Sequence, residues 1–260
     1  MGLLHRLYAD FFLPSRMDEY RRLLECALEN DYQHLSLPAY FSLLKEGKAD
    51  PSKKYFLHRH DIDTDPSTAR RFFEIERSLN IRSSYYFRRS TLDIDLFREI
   101  SSAGFEAGYH YEELSDYCKE KGIQKKDQLP SHYEEIRDRF RKNVHDMETS
   151  TGIKICSVAA HGDFVNRHLD VPNFAFVTDD LLQSLGIVLE CYNPVLLGSF
   201  HFIGSDTSYP QFYRPYNPLR AIEEKVKVIY FLSHPRHWYC HIPWNLRDDL
   251  KRLKEGALYR

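Results

Sequence analysis

Apolar, strand-like segments alternate with amphipathic, helix-like segments from residue 53 to residue 256, and this alternation constrains the fold more than any other feature. Strands that alternate with helices predict a parallel α/β architecture. Six to seven strand segments are present, and none is followed by a glycine-rich phosphate loop. We therefore expect a (β/α) barrel of about seven parallel strands rather than an open nucleotide-binding sheet.

The segments before residue 53 have a different character. Residues 16–45 have a helical pattern, and Pro38 stands where the first turn of a second short helix would begin. No linker or repeat interrupts the chain. The sequence thus predicts one domain over residues 1–260, with an N-terminal helical cap over 1–45 and a core over 53–245.

Composition limits the classes of partner. The 260 residues are 42% hydrophobic and 28% charged, which is typical of a globular protein, and the net charge of −2 gives no reason to expect nucleic acid as a partner. Five scattered cysteines without a CxxC pair indicate reduced thiols. With neither a signal-peptide pattern nor an apolar run long enough to cross a membrane, we expect a cytoplasmic protein.

Polar side chains gather where the predicted strands end. The carboxyl ends of parallel barrel strands meet at one face, so side chains from four strand ends are expected to converge there. Histidines and carboxylates together make a divalent metal site plausible. The residues concerned are His58, His60, Asp61, Asp63, His110, Tyr111, Glu112, Glu113, His161, Asp163, His234, Arg236, His237 and Trp238.

The pair Asp61 and Asp63 in the stretch RHDID is the most informative of these. Residues two apart on a strand point to the same side, so both carboxylates are expected to face the barrel mouth. Two neighbouring carboxylates repel each other unless a cation or a hydrogen-bond donor lies between them. One economical arrangement makes one of them a metal ligand and the other a proton carrier. In the simpler alternative they cap the next helix, although Asp65 is better placed for that.

The stretches RHDID, GFEAGYHYEEL, AAHGD and FLSHPRHW, in this order, resemble the polysaccharide deacetylase-like superfamily (carbohydrate esterase family 4). The similarity is greatest to bacterial proteins whose first motif reads HDVD…P, and it spans roughly residues 53 to 245. The resemblance implies a distorted (β/α) barrel and a divalent metal, usually zinc. It also implies hydrolysis of an acetamido group, with an aspartate as base and a histidine as acid.

Carried over by position, the resemblance assigns a role to several residues. Asp61 matches the catalytic base, and Asp63 and His110 match two of the metal ligands. His234 matches the histidine that protonates the leaving amine. Glu113, Arg236 and Trp238 become candidates for substrate binding, with Arg236 able to orient a carboxylate such as Asp61 or to hold a phosphate, and Trp238 able to stack on a sugar.

Two departures from the family pattern bear on the site. The position of the usual second histidine ligand is occupied by Leu114. His161 is the first choice as the replacement ligand, and Glu112 or Glu113 is the second. The arginine that tethers the base in the family is absent from the stretch SVAAHGDF, and His161 could instead stand in its place. The metal could be zinc, iron, cobalt or nickel.

Other classes of function remain open. The D-x-D pair of DIDTD resembles the first motif of haloacid dehalogenase-like phosphatases, with Asp179 and Asp180 as a late acidic motif and Mg²⁺ as the metal. A glycosyltransferase could use the same D-x-D pair to hold a nucleotide and its metal. The loss of a standard ligand at Leu114 also allows a degenerate deacetylase-like protein that only binds a glycan.

The favoured interpretation is a metal-dependent carbohydrate N-deacetylase that acts on an acylated amino sugar. A cytoplasmic location favours a nucleotide-linked or lipid-linked precursor of a surface polysaccharide over mature wall polymer. The sugar, the acyl group and the oligomeric state are not specified by the sequence.

Overall fold

The computed structural model describes residues 3–259, which form a sheet surrounded by helices. The strands are β1 (Tyr32–Leu35), β2 (Lys54–Ile62), β3 (Ser84–Phe87), β4 (Glu106–Tyr111), β5 (Ser157–Ala160), β6 (Leu189–Glu190), β7 (Phe202–Asp206), β8 (Tyr213–Arg214) and β9 (Val228–Ser233). The α-helices are α1 (Leu3–Phe11), α2 (Met17–Glu29), α3 (Leu37–Lys45), α4 (Pro66–Ser78), α5 (Ile94–Ser102), α6 (Glu113–Lys121), α7 (Tyr133–Thr151), α8 (Phe164–Leu169), α9 (Asp179–Ser184), α10 (Pro194–Gly198), α11 (Pro218–Glu223) and α12 (Ile242–Leu258). Short 3-10 helices lie at Arg89–Thr91, Lys126–His132, Asn173–Phe176 and Pro235–His237.

The sheet is parallel except at one end. Its order is β6-β5-β4-β3-β2-β9-β7-β8, and β1 pairs with the first half of β2. Only β8, which pairs with β7, is antiparallel. The predicted parallel α/β class is thereby confirmed, with β2 at the centre of the sheet.

The sheet curls around an interior. Leu189 of β6 packs in one cluster with Tyr55 of β2 and Tyr230 of β9, although three strands separate β6 from β2 in the order of the sheet. Across the same gap, the guanidinium of Arg59 in β2 lies 5.3 Å from the centre of the Tyr192 ring, two residues after β6, and this contact requires the sheet to bend towards a barrel. Helix α3 closes this interior with Leu37 and Tyr40. The larger hydrophobic cluster fills the space between the other face of the sheet and the surrounding helices.

Strand β2 divides its side chains between these two environments. Tyr55 and Leu57 point into the curled interior, whereas Phe56 and Ile62 belong to the helix-covered cluster. This is the period of two that a pleated strand imposes. It separates the odd-numbered residues of β2 from the even-numbered ones all the way to the strand end.

Helix starts and ends follow local chemistry where the sequence is explicit. The Asp65 carboxylate accepts hydrogen bonds from the backbone N–H groups of Ser67 and Thr68, so Asp65 is the N-cap of α4 as expected. The predicted charged helix is α7, and it ends at Gly152, whose φ of +69° suits a residue without a Cβ atom.

Three sequence-based boundaries are wrong. Residues 16–45 are not wholly helical, because the four residues of β1 between α2 and α3 join the edge of β2. The stretch WNLRDDLKRLKEG predicts a final helix that Gly256 would end, but α12 continues to Leu258. The stretch IVLECYN predicts a full strand, but only Leu189–Glu190 form one.

Candidate active site

The carboxyl ends of β2, β4 and β5 bring Asp63, His110 and His161 together. The Nε2 atom of His110 lies 3.1 Å from Asp63 Oδ1, and the Nε2 atom of His161 lies 3.7 Å from the same oxygen. The two imidazole rings are nearly perpendicular, with centroids 5.2 Å apart. The structure thus places the three sequence-predicted ligands within one group, and their role as metal ligands stays a prediction.

Gly108 gives β4 the room to approach its neighbours. A Cβ atom at this position would lie 2.6 Å from the Ser157 carbonyl oxygen and 2.6 Å from the Tyr86 ring. Because real Cβ atoms do not come so close, only glycine fits between β3 and β5 here. The tight packing fixes the part of β4 that carries His110, two residues later.

The hydrogen bonds around these three residues suit a cation. His110 Nδ1 donates to the Ala159 carbonyl oxygen at 2.9 Å, so in the neutral ring Nε2 keeps its lone pair and turns it towards Asp63. Asp63 Oδ1 is buried and accepts no hydrogen bond from any described residue. Burial also holds the pKa of His161 well below its usual range, which leaves that ring neutral. Facing lone pairs repel unless a positive ion lies between them, and a divalent metal fits this donor set.

Asp61 is held by an arginine from its own strand. Arg59 Nε lies 2.7 Å from Asp61 Oδ1, and Arg59 Nη2 lies 2.8 Å from Oδ2, in a buried two-pronged ion pair. Asp61 Oδ2 also lies 3.4 Å from His110 Nε2. The stretch SVAAHGDF contains no arginine, and it is Arg59 that pairs with Asp61. The spacing of two residues on one strand was a signal that could have predicted this pair.

His234, at the end of β9, is oriented by Asp206 at the end of β7. The backbone N–H of His234 donates to Asp206 Oδ2, and its Nδ1 donates to Oδ1, both at 2.7 Å. Burial would lower the pKa of His234, but the Asp206 carboxylate prevails and raises the pKa to about 9. The apolar pattern predicts a strand over SFHFIG, which stops two residues short of Asp206, whereas β7 ends at Asp206 itself. Sequence reasoning therefore missed this residue.

The two halves of the site share one cleft. Asp63, His161 and His234 all line a depression of about 330 Å³ at the carboxyl end of the sheet. His110 and Asp61 lie deeper, almost fully buried behind it. A substrate group that enters the cleft meets the candidate ligands on one side and His234 on the other.

The alternative third ligands lie in different places. Glu112 is close, with Oε2 at 3.4 Å from His161 Nδ1, and it is neutralised by an ion pair with Arg88. Glu113 points away and accepts hydrogen bonds from Tyr109 at 2.6 Å and Asn143 at 2.9 Å, in a separate depression. Its expected part in substrate binding at this site is wrong. Leu114 is a core residue.

The predicted role of Arg236 also needs correction. Its guanidinium is shared by the carboxylates of Asp10, Asp248 and Asp249 at 2.8–2.9 Å. These contacts tie α1 and α12 to the segment after β9. Arg236 therefore orients carboxylates as expected, but not Asp61, and its donors are already satisfied by the protein.

Trp238 does not stack on a ligand. Its side chain has no exposed surface, and its Nε1 donates to Asp206 Oδ2 at 2.7 Å. A fully buried ring cannot contact a sugar, so the prediction is wrong. The residue instead helps to hold the carboxylate that orients His234.

A second group of potential ligands, the core cluster, consists of His58, His60 and Glu76 and is fully buried. Ser233 Oγ lies 3.2 Å from His58 Nε2 and 2.7 Å from His60 Nδ1. Tyr20, Tyr85 and Ser83 donate hydrogen bonds to Glu76. Every polar atom of the cluster has a partner, so the even-numbered histidines of β2 form a structural network in the core.

The residues behind the phosphatase alternative are scattered. The fifth position of DIDTD is Asp65, where the phosphatase motif has threonine, and its carboxylate caps α4. Asp179 and Asp180 are exposed in the first turn of α9 and belong to none of the ligand groups found over residues 3–259. The geometry gives this alternative no second carboxylate pair beside Asp61 and Asp63.

Comparisons with known proteins give only distant similarity. No family model matches the sequence, and no curated protein matches it significantly. Among solved structures, a carbohydrate esterase family 4 pseudoenzyme from Bacillus anthracis is similar with a TM-score of 0.40 and 13% identity, over 78% of this chain and 63% of that chain. A family 4 carbohydrate esterase from the same organism has a TM-score of 0.40 and 11% identity, over 85% of this chain and 84% of that one.

The peptidoglycan deacetylase PdaC from Bacillus subtilis, in a mutant form, has a TM-score of 0.36 and 10% identity, over 80% of this chain and 99% of that one. These similarities are distant and say nothing of substrate or activity. This chain spans just under two thirds of the length of the first of these structures. Within residues 3–259, no helix combines the length and apolarity needed to cross a bilayer.

Proposed function

We propose that this protein is a metal-dependent hydrolase that removes an N-acyl group, most simply acetyl, from an amino sugar. The observation that carries the proposal is the group of Asp63, His110 and His161, with its unsatisfied buried carboxylate oxygen, beside His234 in one cleft. In this proposal these three residues hold the metal, and residues 1–260 act as a single deacetylase-like domain.

The chain itself supplies a base and an acid. A divalent metal at this site would polarise the acyl carbonyl and lower the pKa of a water molecule. Asp61, fixed by Arg59, accepts the proton of the attacking water. His234, kept protonated by Asp206, donates a proton to the departing sugar nitrogen. Their placement around one cleft supports hydrolysis of a C–N bond more than a binding function alone.

We infer that the substrate is a precursor of a surface polysaccharide and that the reaction takes place in the cytoplasm. A nucleotide-linked or lipid-linked amino sugar fits both parts of this inference. The cleft of about 330 Å³ is large enough for one sugar ring with its acyl group. Zinc is the first choice of metal, because two imidazoles and one carboxylate are ligands that zinc accepts.

The direct test is metal content and affinity for the purified wild type and for Asp63→Ala, His110→Ala and His161→Ala. We expect about one equivalent of a transition metal in the wild type and loss of binding in all three variants. His201→Ala, at an exposed position in the segment before β7, is the matched control and should retain the metal. Acetate release from N-acetylated amino sugars should follow metal content.

Three outcomes would change the proposal. Retention of metal in His161→Ala alone would transfer the third ligand position to Glu112 or water. Metal and acyl-sugar binding without turnover would indicate the degenerate, glycan-binding alternative. Absence of any transition metal, together with magnesium-dependent activity on phosphate esters, would overturn the proposal in favour of a phosphatase.

A further inference from the structure

Helix α12 packs its polar side against the protein and turns its apolar side to solvent. Asn245 Nδ2 donates to the Asp10 carbonyl oxygen at 2.8 Å, and Asp248 accepts from Arg236 at 2.8 Å. Both side chains are buried, whereas Leu250 is 58% exposed and Leu253 is 71% exposed. A surface helix normally has the opposite arrangement, so the apolar side of α12 is not explained by the fold.

The exposed apolar residues of α12 form one continuous stripe. Ile242, Leu246, Leu250 and Leu253 follow one another at spacings of four, four and three, which places them on one side of a helix. Leu246 is 48% exposed and Ile242 is 47% exposed. The neighbouring helix α1, joined to α12 by the ion pair between Arg6 and Asp249, exposes Leu4, and Phe12 directly after α1 is also exposed.

A row of cations runs beside the stripe. Arg247, Lys251 and Lys254 are all exposed and each follows a leucine of the stripe by one residue. The acidic residues of the helix are turned inward or engaged: Asp248 and Asp249 bind Arg236, and Glu255 binds Lys119 at 3.1 Å. The outer surface of α12 is therefore apolar along one line and cationic along the next.

We propose that α12 binds to the surface of an anionic lipid membrane, with its leucines between the lipids and its cations among the head groups. An apolar stripe flanked by lysine and arginine is the pattern that complements such a surface. A second copy of the chain is a poorer occupant. Its symmetric contact would bring the same cationic rows close to each other without acidic partners.

The position of α12 connects this surface to the candidate active site. Arg247 and Lys251 line a depression of about 210 Å³ that reaches Asp63, and Arg252 lines the cleft that contains His161. A sugar joined to a lipid through phosphate could keep its lipid in the membrane, its phosphate beside the cations and its acyl group at Asp63. This choice of substrate class rests on the proposed function, whereas membrane binding does not.

The test is co-sedimentation with vesicles of phosphatidylcholine alone and of an equal mixture of phosphatidylcholine and phosphatidylglycerol. We expect the wild type to bind the mixed vesicles, and less at high salt. Both Leu250→Asn/Leu253→Asn and Arg247→Gln/Lys251→Gln/Lys254→Gln should weaken binding about tenfold or more. The controls Val188→Asn/Val195→Asn and Lys45→Gln/Lys48→Gln change matched side chains elsewhere on the surface and should bind normally.

Equal binding to both kinds of vesicle, or equal losses in the control variants, would overturn the proposal. The proposal would also be overturned if the wild type did not bind vesicles and formed a dimer in analytical ultracentrifugation, and if Leu250→Asn/Leu253→Asn were a monomer. Because vesicle binding is measured without metal or substrate, its failure leaves the hydrolase proposal intact. For the substrate class, Leu250→Asn/Leu253→Asn should reduce turnover of a vesicle-borne, phosphate-linked acyl sugar but not of a soluble one, and equal turnover of both would refute it.

Discussion

The core cluster and the candidate metal group (Asp63, His110 and His161) contain the same kinds of residue, but their polar atoms differ in hydrogen bonding and in access to solvent. Each contains two histidines and one carboxylate, and the potential ligand atoms of the three residues lie close together. In the core cluster every ring nitrogen has a hydrogen-bond partner and no atom reaches solvent. In the other group Asp63 Oδ1 and His161 Nδ1 are buried without a hydrogen-bond partner among residues 3–259, and Asp63 and His161 line a cleft.

Proximity of potential ligand atoms alone does not distinguish a structural network from a binding site, whereas hydrogen bonding and access to solvent do. A satisfied and inaccessible group stabilises the fold, because the protein itself supplies the partners of each polar atom. Polar atoms that are buried beside a cleft without a hydrogen-bond partner need one from outside the protein chain. The two groups should therefore respond differently to substitution, solution pH and metal.

The largest expected effect separates the two groups by stability. Glu76→Ala removes the acceptor for Tyr20, Ser83 and His60 and should lower the free energy of unfolding by about 3–5 kcal/mol. Asp63→Ala, in contrast, should change it by less than about 1 kcal/mol. Urea unfolding in the presence of a chelator measures both.

Before any chelator is added, folded Glu76→Ala should contain its transition metal, whereas Asp63→Ala should lack it. If Glu76→Ala lost the metal and Asp63→Ala retained it, the assignment of the two groups would be reversed. Glu74→Ala, on the same helix as Glu76 but exposed, is the matched control for a lost carboxylate.

The next effect concerns the pairing of His234 with Asp206. The carboxylate raises the pKa of His234 to about 9, so the imidazolium needed as an acid persists below that pH and is lost as the pH rises through it. Asp206→Asn should return this pKa towards about 6.5 and lower turnover at pH 8 roughly 30-fold, which is the loss in the protonated fraction of His234. The deficit should shrink towards pH 6.

A pH profile of turnover, compared with the profile of metal content, tests this directly. An alkaline limb at the same pH in Asp206→Asn and wild type would show that His234 is not the acid. Glu190→Gln changes another buried carboxylate at a strand end and should leave the limb in place.

The smallest effect contrasts Glu113 with its neighbour Glu112, which pairs with Arg88. Burial raises the pKa of Glu113 to about 7, although hydrogen bonds from Tyr109 and Asn143 oppose this. Its folded-state pKa lies above the unfolded one, so its contribution to stability is present at pH 4 and is lost as the pH rises through 7. The free energy of unfolding of Glu113→Gln should therefore equal that of the wild type at pH 4 and exceed it by about 2 kcal/mol at pH 8.5. Urea unfolding at both pH values checks this, and an equal difference at both would show that Glu113 has an ordinary pKa.

The sequence predicted the parts of the site that depend on sheet topology. Parallel strands put Asp63, His110, His161 and His234 at one edge, and strand ends are visible as the points where apolar runs stop. Arg59 was also within reach, since the period of two places it beside Asp61. The prediction failed where a strand end was misplaced.

Other parts of the structure depend on contacts between distant segments. Trp238 looks like an accessible strand-end residue, but Tyr20 of α2 and Phe72 of α4 pack against its ring. Arg236 looks equally accessible, but it binds the carboxylates of Asp10 in α1 and Asp248 in α12. Strand β1 has only four residues between two helices, and its pairing with β2 determines its conformation. Contacts of this kind produce no local periodicity in the sequence from which they could be predicted.

The alternation of side chains along β2 determines how the strand responds to substitutions and insertions. From His58 to Asp63 the even positions lie in the core, and the odd positions carry the side chains to which we propose a part in the chemistry. A scan of all substitutions should therefore score His58, His60 and Ile62 in an assay of protein abundance, and Arg59, Asp61 and Asp63 chiefly in an assay of turnover. A single inserted residue would exchange the two sets at once, so the length of this strand is constrained at least as tightly as its composition.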